Sequence, residues 1–355
     1  MAKDKVSNVE LVKIMAMLMI VCHHFVTLNS FNIDTDVVGI SLNKLFLQFI
    51  GNHAFVANNL FFLCSAWFLC VKTDGFEFKH TVKRLWNLDK IMLFYSLGIP
   101  LSLYLITGDM GGGNLLNSFF PLATNLWWYP TSYAVFLIFY PFVQKALTRL
   151  DRDDIKQLII VMFCLWTVMT IIPYRWDLGG GNTTCFFMLY TIAYYIRHYD
   201  PEILKRKLTP KRLVLGGYTI AFLSIIVLDI VGTRVNAINE FACYYIRGNI
   251  RFLPVLISIG LFLWIVQHRQ FYSKFVNWVG GLTFSVYLIH MHPQLQPILF
   301  EDWFDMTEYV QTPMIELFTI GVTIAVFLAC IMIDQCRKWI YAVIERALMG
   351  NKKSL

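Results

Sequence analysis

The dominant pattern in this sequence is a series of apolar runs, each long enough to cross a lipid bilayer. Two examples are LVLGGYTIAFLSIIVLDIVG, beginning at Leu213, and FLPVLISIGLFLWIV, beginning at Phe252. A membrane helix needs about 20 apolar residues, because the hydrocarbon layer is about 30 Å thick and each residue rises about 1.5 Å. We therefore predict ten membrane helices, which begin near Val9, Phe55, Lys90, Leu126, Leu158, Asn182, Leu213, Ile250, Phe275 and Pro313.

The composition agrees with a membrane protein. The 355 residues are 57% hydrophobic and only 15% charged, whereas soluble domains average about 25% charged residues. The sequence contains no low-complexity tract, no clear internal repeat and no long connection that could form a soluble domain. We expect residues 1–355 to form a single domain, an all-α polytopic bundle of about ten transmembrane helices. Any chemistry must then be built among the helices.

The basic residues predict how the chain is oriented. Most of the 30 lysines and arginines fall in the connections on one side of the predicted helices, together with both termini. By the positive-inside rule both termini are cytoplasmic, in a multi-pass protein of the cell membrane whose surroundings are lipids. The net charge of +7 therefore reflects topology, and nucleic acid is not a predicted partner. The exceptions to this bias are Lys13, Lys44, Arg175, Arg234, Arg247 and Arg251.

The cysteines and histidines do not predict a disulfide framework or a metal site. Most of the eight cysteines lie in or beside predicted helices, where cysteine behaves as a small hydrophobic residue. No CxxC pair or other zinc-type spacing occurs. The pair His290 and His292 lacks carboxylate or cysteine ligands at suitable spacing. We therefore predict no metal.

The first predicted helix carries the most unusual polar residues. In VELVKIMAMLMIVCHHF, Lys13 and His24 are eleven residues apart, which places them on one helical face about 16 Å apart along the axis. His23 points about 100° away from His24. In one interpretation Lys13 extends to the lipid headgroups and both histidines lie near the interface. In the other, His24 is a general base, because neutral imidazole titrates near physiological pH.

The same segment resembles the opening of membrane acyltransferase family 3, which begins with an arginine, ten residues and a histidine. The spacing from Lys13 to His24 is the same, with lysine in place of the arginine. Five further stretches resemble the family in order along the chain. They are NNLFFLCSAWFL with Ser65, VKRLWNLDKI with Arg84, LWWYPTSYAVFLIFYPFV, LYTIAYYIRHY and LTFSVYLIHMHP with Tyr287 and His290. The resemblance is strongest to members of polysaccharide biosynthesis.

This resemblance implies an O-acetyltransferase. Such an enzyme moves an acyl group, usually acetyl, from acetyl-CoA in the cytoplasm to a hydroxyl of a glycan or of its lipid-linked precursor. His24 would be the catalytic base, Lys13 would bind or position the donor, and Ser65 would stabilise the oxyanion.

The resemblance also implies where the donor phosphates bind. Arg84, Lys83 and Lys90 would hold them, with Arg84 first because guanidinium binds phosphate in bidentate fashion. Further site candidates are His23, Tyr287 and His290. For Tyr287 and His290 a purely structural alternative is a buried Tyr–His hydrogen bond that holds two helices together.

A multi-span transporter or flippase for a glycan-lipid or small molecule is the main alternative. Such proteins often contain repeats and paired helices broken near the middle of the membrane. The sequence shows neither feature. Transfer of a labelled acetyl group would distinguish the enzyme from the transporter.

Overall fold

A computed structural model describes residues 7–37, 39–71, 78–109, 115–172, 181–235, 238 and 241–351. The described residues are 78% helical and contain no strand. The α-helices are α1 (Ser7–Thr27), α2 (Ile33–Asp36), α3 (Leu42–Ile50), α4 (His53–Leu69), α5 (Phe78–Thr107), α6 (Leu115–Phe119), α7 (Trp128–Leu147), α8 (Arg152–Trp166), α9 (Asn182–Tyr199), α10 (Leu208–Gly232), α11 (Phe252–Gln267), α12 (Lys274–Gly280), α13 (Thr283–His290) and α14 (Met314–Asn351).

A helix lies at each of the ten predicted positions, which confirms the all-α class. Five helical segments are long and apolar enough to cross a membrane. They are Ser7–Thr27, Phe78–Thr107, Arg152–Ile171, Leu208–Gly232 and Met314–Arg346. The other five spans and the cytoplasmic termini stay predictions, and the chain ends and Arg175 lie outside the described residues.

Three helices differ from the predicted ones for local reasons. Helix α5 begins at Phe78, twelve residues before the predicted start. The prediction missed its first turns because they are polar and basic rather than apolar. Helix α8 begins at Arg152 behind a capping box in which the Asp151 carboxylate accepts from the backbone N–H groups of Asp153 and Asp154. The ninth predicted helix is divided into α12 and α13 at Gly281 and Leu282.

Helices α1 and α4 form the centre of the bundle and run antiparallel. The His23 imidazole contacts the Gly51 carbonyl just before α4 begins, whereas the Cys64 thiol near the other end of α4 lies 3.7 Å from the Val9 carbonyl. Helix α4 also packs against α9 and α11, and α1 against α12, α13 and α14. These contacts define two ends of the bundle, called here the Lys13 end and the His24 end.

Helices α10 and α11 pack closely through glycines, as small residues allow in membrane helix pairs. A Cβ atom added to Gly217 would lie 2.5 Å from Cγ1 of Ile257. A Cβ atom added to Gly260 would lie 2.7 Å from Cβ of Leu213 and 3.0 Å from the Pro210 carbonyl oxygen. Neither position can accept a side chain unless the two helices move apart.

We expect Gly217→Ala to lower the free energy of unfolding by about 1–3 kcal/mol through this overpacking. The neighbouring Gly216→Ala is a matched control, because a Cβ atom there meets nothing within 4 Å. This variant should be at least as stable as the wild type, since alanine has a higher helix propensity than glycine. Thermal unfolding of the two variants in detergent measures the difference. Equal stability of both variants would contradict the close packing of α10 on α11.

Candidate functional site

The His24 side chain is buried and belongs to a chain of hydrogen bonds between α1 and α13. Its Nδ1 atom lies 2.9 Å from Nε2 of His290, and Nδ1 of His290 lies 2.6 Å from the carbonyl oxygen of Val286. A carbonyl only accepts, so His290 carries its proton on Nδ1 and its Nε2 is the acceptor. His24 therefore donates from Nδ1, and its own Nε2 keeps a free lone pair. An imidazole in this tautomer can accept a proton at Nε2.

The neighbouring His23 has a different role in the structure. Its Nδ1 donates to the Gly51 carbonyl, which ties α1 to the turn between α3 and α4. The His23 and His24 rings are 5.0 Å apart but point to different partners. Of the two histidines, only His24 is oriented by a second histidine.

Tyr287 lies close to this pair without a hydrogen bond to His290. The centroid of its ring is 6.3 Å from that of His24 and 6.1 Å from that of His290. Among the described contacts, the ring nitrogens of His290 bond to the Val286 carbonyl and to His24, so the buried bond that His290 makes between helices joins it to His24 and not to Tyr287. Tyr287 instead faces a cavity.

This cavity, of about 10 Å³, lies against the face of α1 between Lys13 and His24. Met17 and Ile20 lie on that face, four and seven residues beyond Lys13, as the helical repeat requires. The cavity is narrow and lies between α1, α4, α7 and α13. Its lining residues are Met17, Ile20, Asn58, Phe61, Tyr129, Phe284 and Tyr287.

The Lys13 ammonium forms an ion pair with Glu10 instead of extending unpaired to the lipid headgroups. Its Nζ atom lies 2.7 Å from a carboxylate oxygen of Glu10, and the two side chains are 23% and 3% exposed. Gly280 packs directly against Glu10, since an added Cβ atom there would lie 2.8 Å from Cβ of Glu10. A cation is therefore held at the opposite end of the α1 face from His24.

Ser65 lies at the Lys13 end. The adjacent Cys64 contacts the Val9 carbonyl, and Val9 and His24 are about 22 Å apart along α1 at 1.5 Å per residue. The structure does not bring Ser65 and His24 together. An oxyanion donor for chemistry at His24 must come from another residue.

The three basic residues of α5 do not form one cluster. Arg84 is half-buried, and its guanidinium lies 5.6 Å from the centre of the Tyr140 ring. Lys83 and Lys90 are seven residues apart, share another face of α5 and are exposed. Only Arg84 faces the bundle.

The sequence interpretation missed a second arginine close to the C-terminal end of α4. Arg197 donates to the Trp67 carbonyl over 2.6 Å and lies 4.4 Å above the centre of the Trp67 ring. The Tyr140 hydroxyl donates to the Leu69 carbonyl over 3.0 Å, which joins Arg84 to the same region. Arg197 lies within the stretch LYTIAYYIRHY, but the sequence does not show that it faces α4.

The residues that the structure describes include no group of three histidine, cysteine or carboxylate side chains placed to hold a metal ion. The site described here consists of the histidine pair, the cavity and the two arginines. Comparison with known proteins indicates an acyltransferase. A family model described as an acyltransferase domain matches residues 6–334.

This match covers nearly the whole described chain, including every residue of the site above. No curated protein and no solved structure matches the chain significantly. The helices and the family together indicate an integral membrane protein. The chain belongs to membrane acyltransferase family 3 and is an acyltransferase.

Proposed function

We propose that this protein is an O-acetyltransferase of the cell membrane. It moves an acetyl group from cytoplasmic acetyl-CoA to a hydroxyl of a cell-surface polysaccharide or of its lipid-linked precursor. The observation that carries the proposal is the His24–His290–Val286 hydrogen-bond chain, which leaves Nε2 of His24 free to act as a base. The family match supports acyl transfer, and the residue roles below are part of the proposal.

In the proposed reaction Nε2 of His24 takes the proton of the acceptor hydroxyl as its oxygen attacks the thioester carbonyl. The tetrahedral intermediate collapses, the carbon–sulfur bond breaks, and the thiolate of CoA takes the proton from His24. His290 is a positioning residue, because its Nε2 accepts from Nδ1 of His24 in both protonation states of His24. No metal is required for these steps.

The donor enters this scheme from the Lys13 end. Lys13, which is paired with Glu10, contacts the CoA, and the pantetheine arm passes along Met17 and Ile20 toward His24. The cavity there has a volume of about 10 Å³, so it has to widen when the donor binds. Tyr287 takes the oxyanion role in place of Ser65, because it lines the cavity and its ring lies 6.3 Å from that of His24. The CoA phosphates bind Arg84, with Lys83 and Lys90 adding charge at the surface.

We expect Arg84→Ala to raise KM for acetyl-CoA by roughly tenfold or more, since a hydrogen bond to a charged group contributes about 1.5–3 kcal/mol. Lys90→Ala is the matched control on the same helix, and its exposed side chain predicts a change in KM of less than about threefold. Initial rates over a range of acetyl-CoA concentrations measure both values. A larger effect for Lys90→Ala than for Arg84→Ala would contradict the donor site.

The function is tested with membranes that contain the protein and acetyl-CoA labelled in the acetyl group. Release of CoA together with label in the saccharide fraction is the expected result. No transfer of label combined with movement of a glycan-lipid across the membrane would instead support the transporter alternative. Membranes that contain the His24→Ala variant at equal abundance are the control for other transferases.

A further inference from the structure

A layer of polar side chains crosses the His24 end of the bundle and is not used by the reaction steps above. It contains two of the basic residues that depart from the charge bias of the sequence, Lys44 and Arg247. Lys44, Gln48 and Asn52 follow each other at intervals of four residues, so they share one face of α3 and the turn after it. The acceptor layer, as it is called here, consists of Lys44, Gln48, Asn52, Asp229 and Arg247.

The members of the acceptor layer are joined by a continuous series of contacts. Nε2 of Gln48 donates to Oδ1 of Asp229 over 3.1 Å, and Nζ of Lys44 lies 3.8 Å from the same oxygen. Nδ2 of Asn52 donates to the Gln48 carbonyl over 2.7 Å, and Nε of Arg247 donates to Oδ1 of Asn52 over 3.4 Å. The layer contains two cations and one carboxylate, so its formal net charge is positive.

Two buried oxygens of the layer are without a hydrogen-bond donor among the described residues. They are Oε1 of Gln48, on a residue that is 2% exposed, and Oδ2 of Asp229, on a residue that is 3% exposed. Leaving a buried acceptor unpaired is costly, so native structures rarely retain one without a reason. Ionisable residues at membrane depth are functional candidates for the same reason. Hydroxyl groups of a ligand would supply the missing donors.

Arg247 provides the charge recognition. Its side chain is exposed, it uses only Nε, and no carboxylate of the described chain lies within ion-pair distance of it. Both Nη groups therefore remain available, and a guanidinium fork binds a phosphate or carboxylate in bidentate fashion.

The layer also adjoins the proposed base. Asn52 follows Gly51, whose carbonyl accepts from His23, and the rings of His23 and His24 are 5.0 Å apart. His23 lies within electrostatic range of Arg247. Arg247 is thus linked to the histidine pair through Asn52, Gly51 and His23.

We infer that the acceptor layer binds an anionic saccharide. The phosphate or carboxylate of the saccharide pairs with the Nη groups of Arg247, and its hydroxyls donate to Gln48 and Asp229. The catalytic part of this inference, that one further hydroxyl reaches Nε2 of His24, rests on the proposed function. Binding itself does not.

The test uses the full chain purified in detergent, with four small probes. Glucose 1-phosphate and glucuronate carry the two candidate anions on a sugar, glucose is the neutral control, and inorganic phosphate is the anion alone. Saturable binding is measured by isothermal titration and by the shift in unfolding temperature. We expect at least one of the two anionic sugars to bind at least tenfold more tightly than glucose and than phosphate. Which of the two does so identifies the phosphate or the carboxylate as the recognised group.

The variants make the assignment specific to Arg247. Arg247→Ala is expected to weaken binding of the preferred anionic sugar by roughly tenfold or more, and Arg247→Lys by less. Arg234→Ala removes another exposed charge from the C-terminal end of α10 and is expected to bind as the wild type does. Equal binding of glucose and both anionic sugars, or unchanged binding by Arg247→Ala, would overturn the inference. Normal binding without any acetyl transfer would instead refute the proposed function alone.

Discussion

Membranes that contain His24→Ala are expected to transfer acetyl groups roughly 10²–10⁴ times more slowly than wild type, the usual contribution of a general base. The physical reason is that Nε2 of His24 is the basic atom left free by the contacts of the histidine pair. Release of CoA and transfer of the labelled acetyl group are both measured, at equal abundance of the protein. Wild-type rates in this variant would show that another residue takes the proton.

Two other histidine variants separate chemistry from packing. His23→Ala loses a hydrogen bond to the Gly51 carbonyl and should retain transfer within about tenfold, since a neutral hydrogen bond contributes about 0.5–1.5 kcal/mol.

His290→Phe should lower kcat by roughly ten- to a hundredfold with little change in KM, because His24 loses the acceptor that orients it. His290→Gln, which retains an acceptor, should restore part of the rate. An equal loss for Phe and Gln would indicate that His290 acts only by packing.

Asp334→Ala is expected to lower the free energy of unfolding by about 3–5 kcal/mol, because it leaves a buried cation unpaired. Oδ1 of Asp334 accepts from the Tyr95 hydroxyl at 2.6 Å and from Nε of Arg337 at 2.5 Å. The Arg337 side chain is only 7% exposed. The Tyr95–Asp334 hydrogen bond joins α14 to α5, the helix that carries Arg84. Unfolding in detergent as a function of temperature or denaturant measures the loss.

The control for this variant removes both charges. In Asp334→Ala/Arg337→Met no buried charge remains unpaired, so we expect the double variant to be more stable than Asp334→Ala alone. If the double variant were less stable by the sum of the two single losses, Asp334 and Arg337 would not interact. Either result leaves the assignment of His24 unaffected.

The apolar runs were sufficient to locate the principal helices but not to define their ends. Helix α9 begins at the predicted Asn182, because its apolar run and its helix coincide. The start of α5 was missed by twelve residues, since its first turns are helical without being apolar. The short helix α3 was not predicted at all, although its polar face carries Lys44 and Gln48. Amphipathic and short helices lack the long apolar signal on which the prediction depended.

The candidate site was predictable only within a single helix. Helical geometry placed Lys13 and His24 on one face, and a small cavity lies against that face between them. The partner of His24 could not be predicted, because His290 is 266 residues away and the contact depends on how α13 packs on α1. The position of Ser65 could not be predicted either. Ser65 lies in a stretch that resembles the family, but the packing of α4 on α1 puts it at the opposite end of the bundle from His24.

The narrow cavity beside α1 has a consequence for the fate of the donor. Its walls are mostly methionine, isoleucine and aromatic side chains, with Asn58 and the tyrosine hydroxyls as the polar exceptions. A thioester that reaches His24 along such walls meets few groups able to hold a water molecule. Water is the competing nucleophile in every acyl transfer, and its exclusion suppresses the side reaction. In the proposed function, the apolar lining therefore favours a coupled enzyme, in which acetyl-CoA is consumed mainly when an acceptor is bound and hydrolysis without an acceptor is slow.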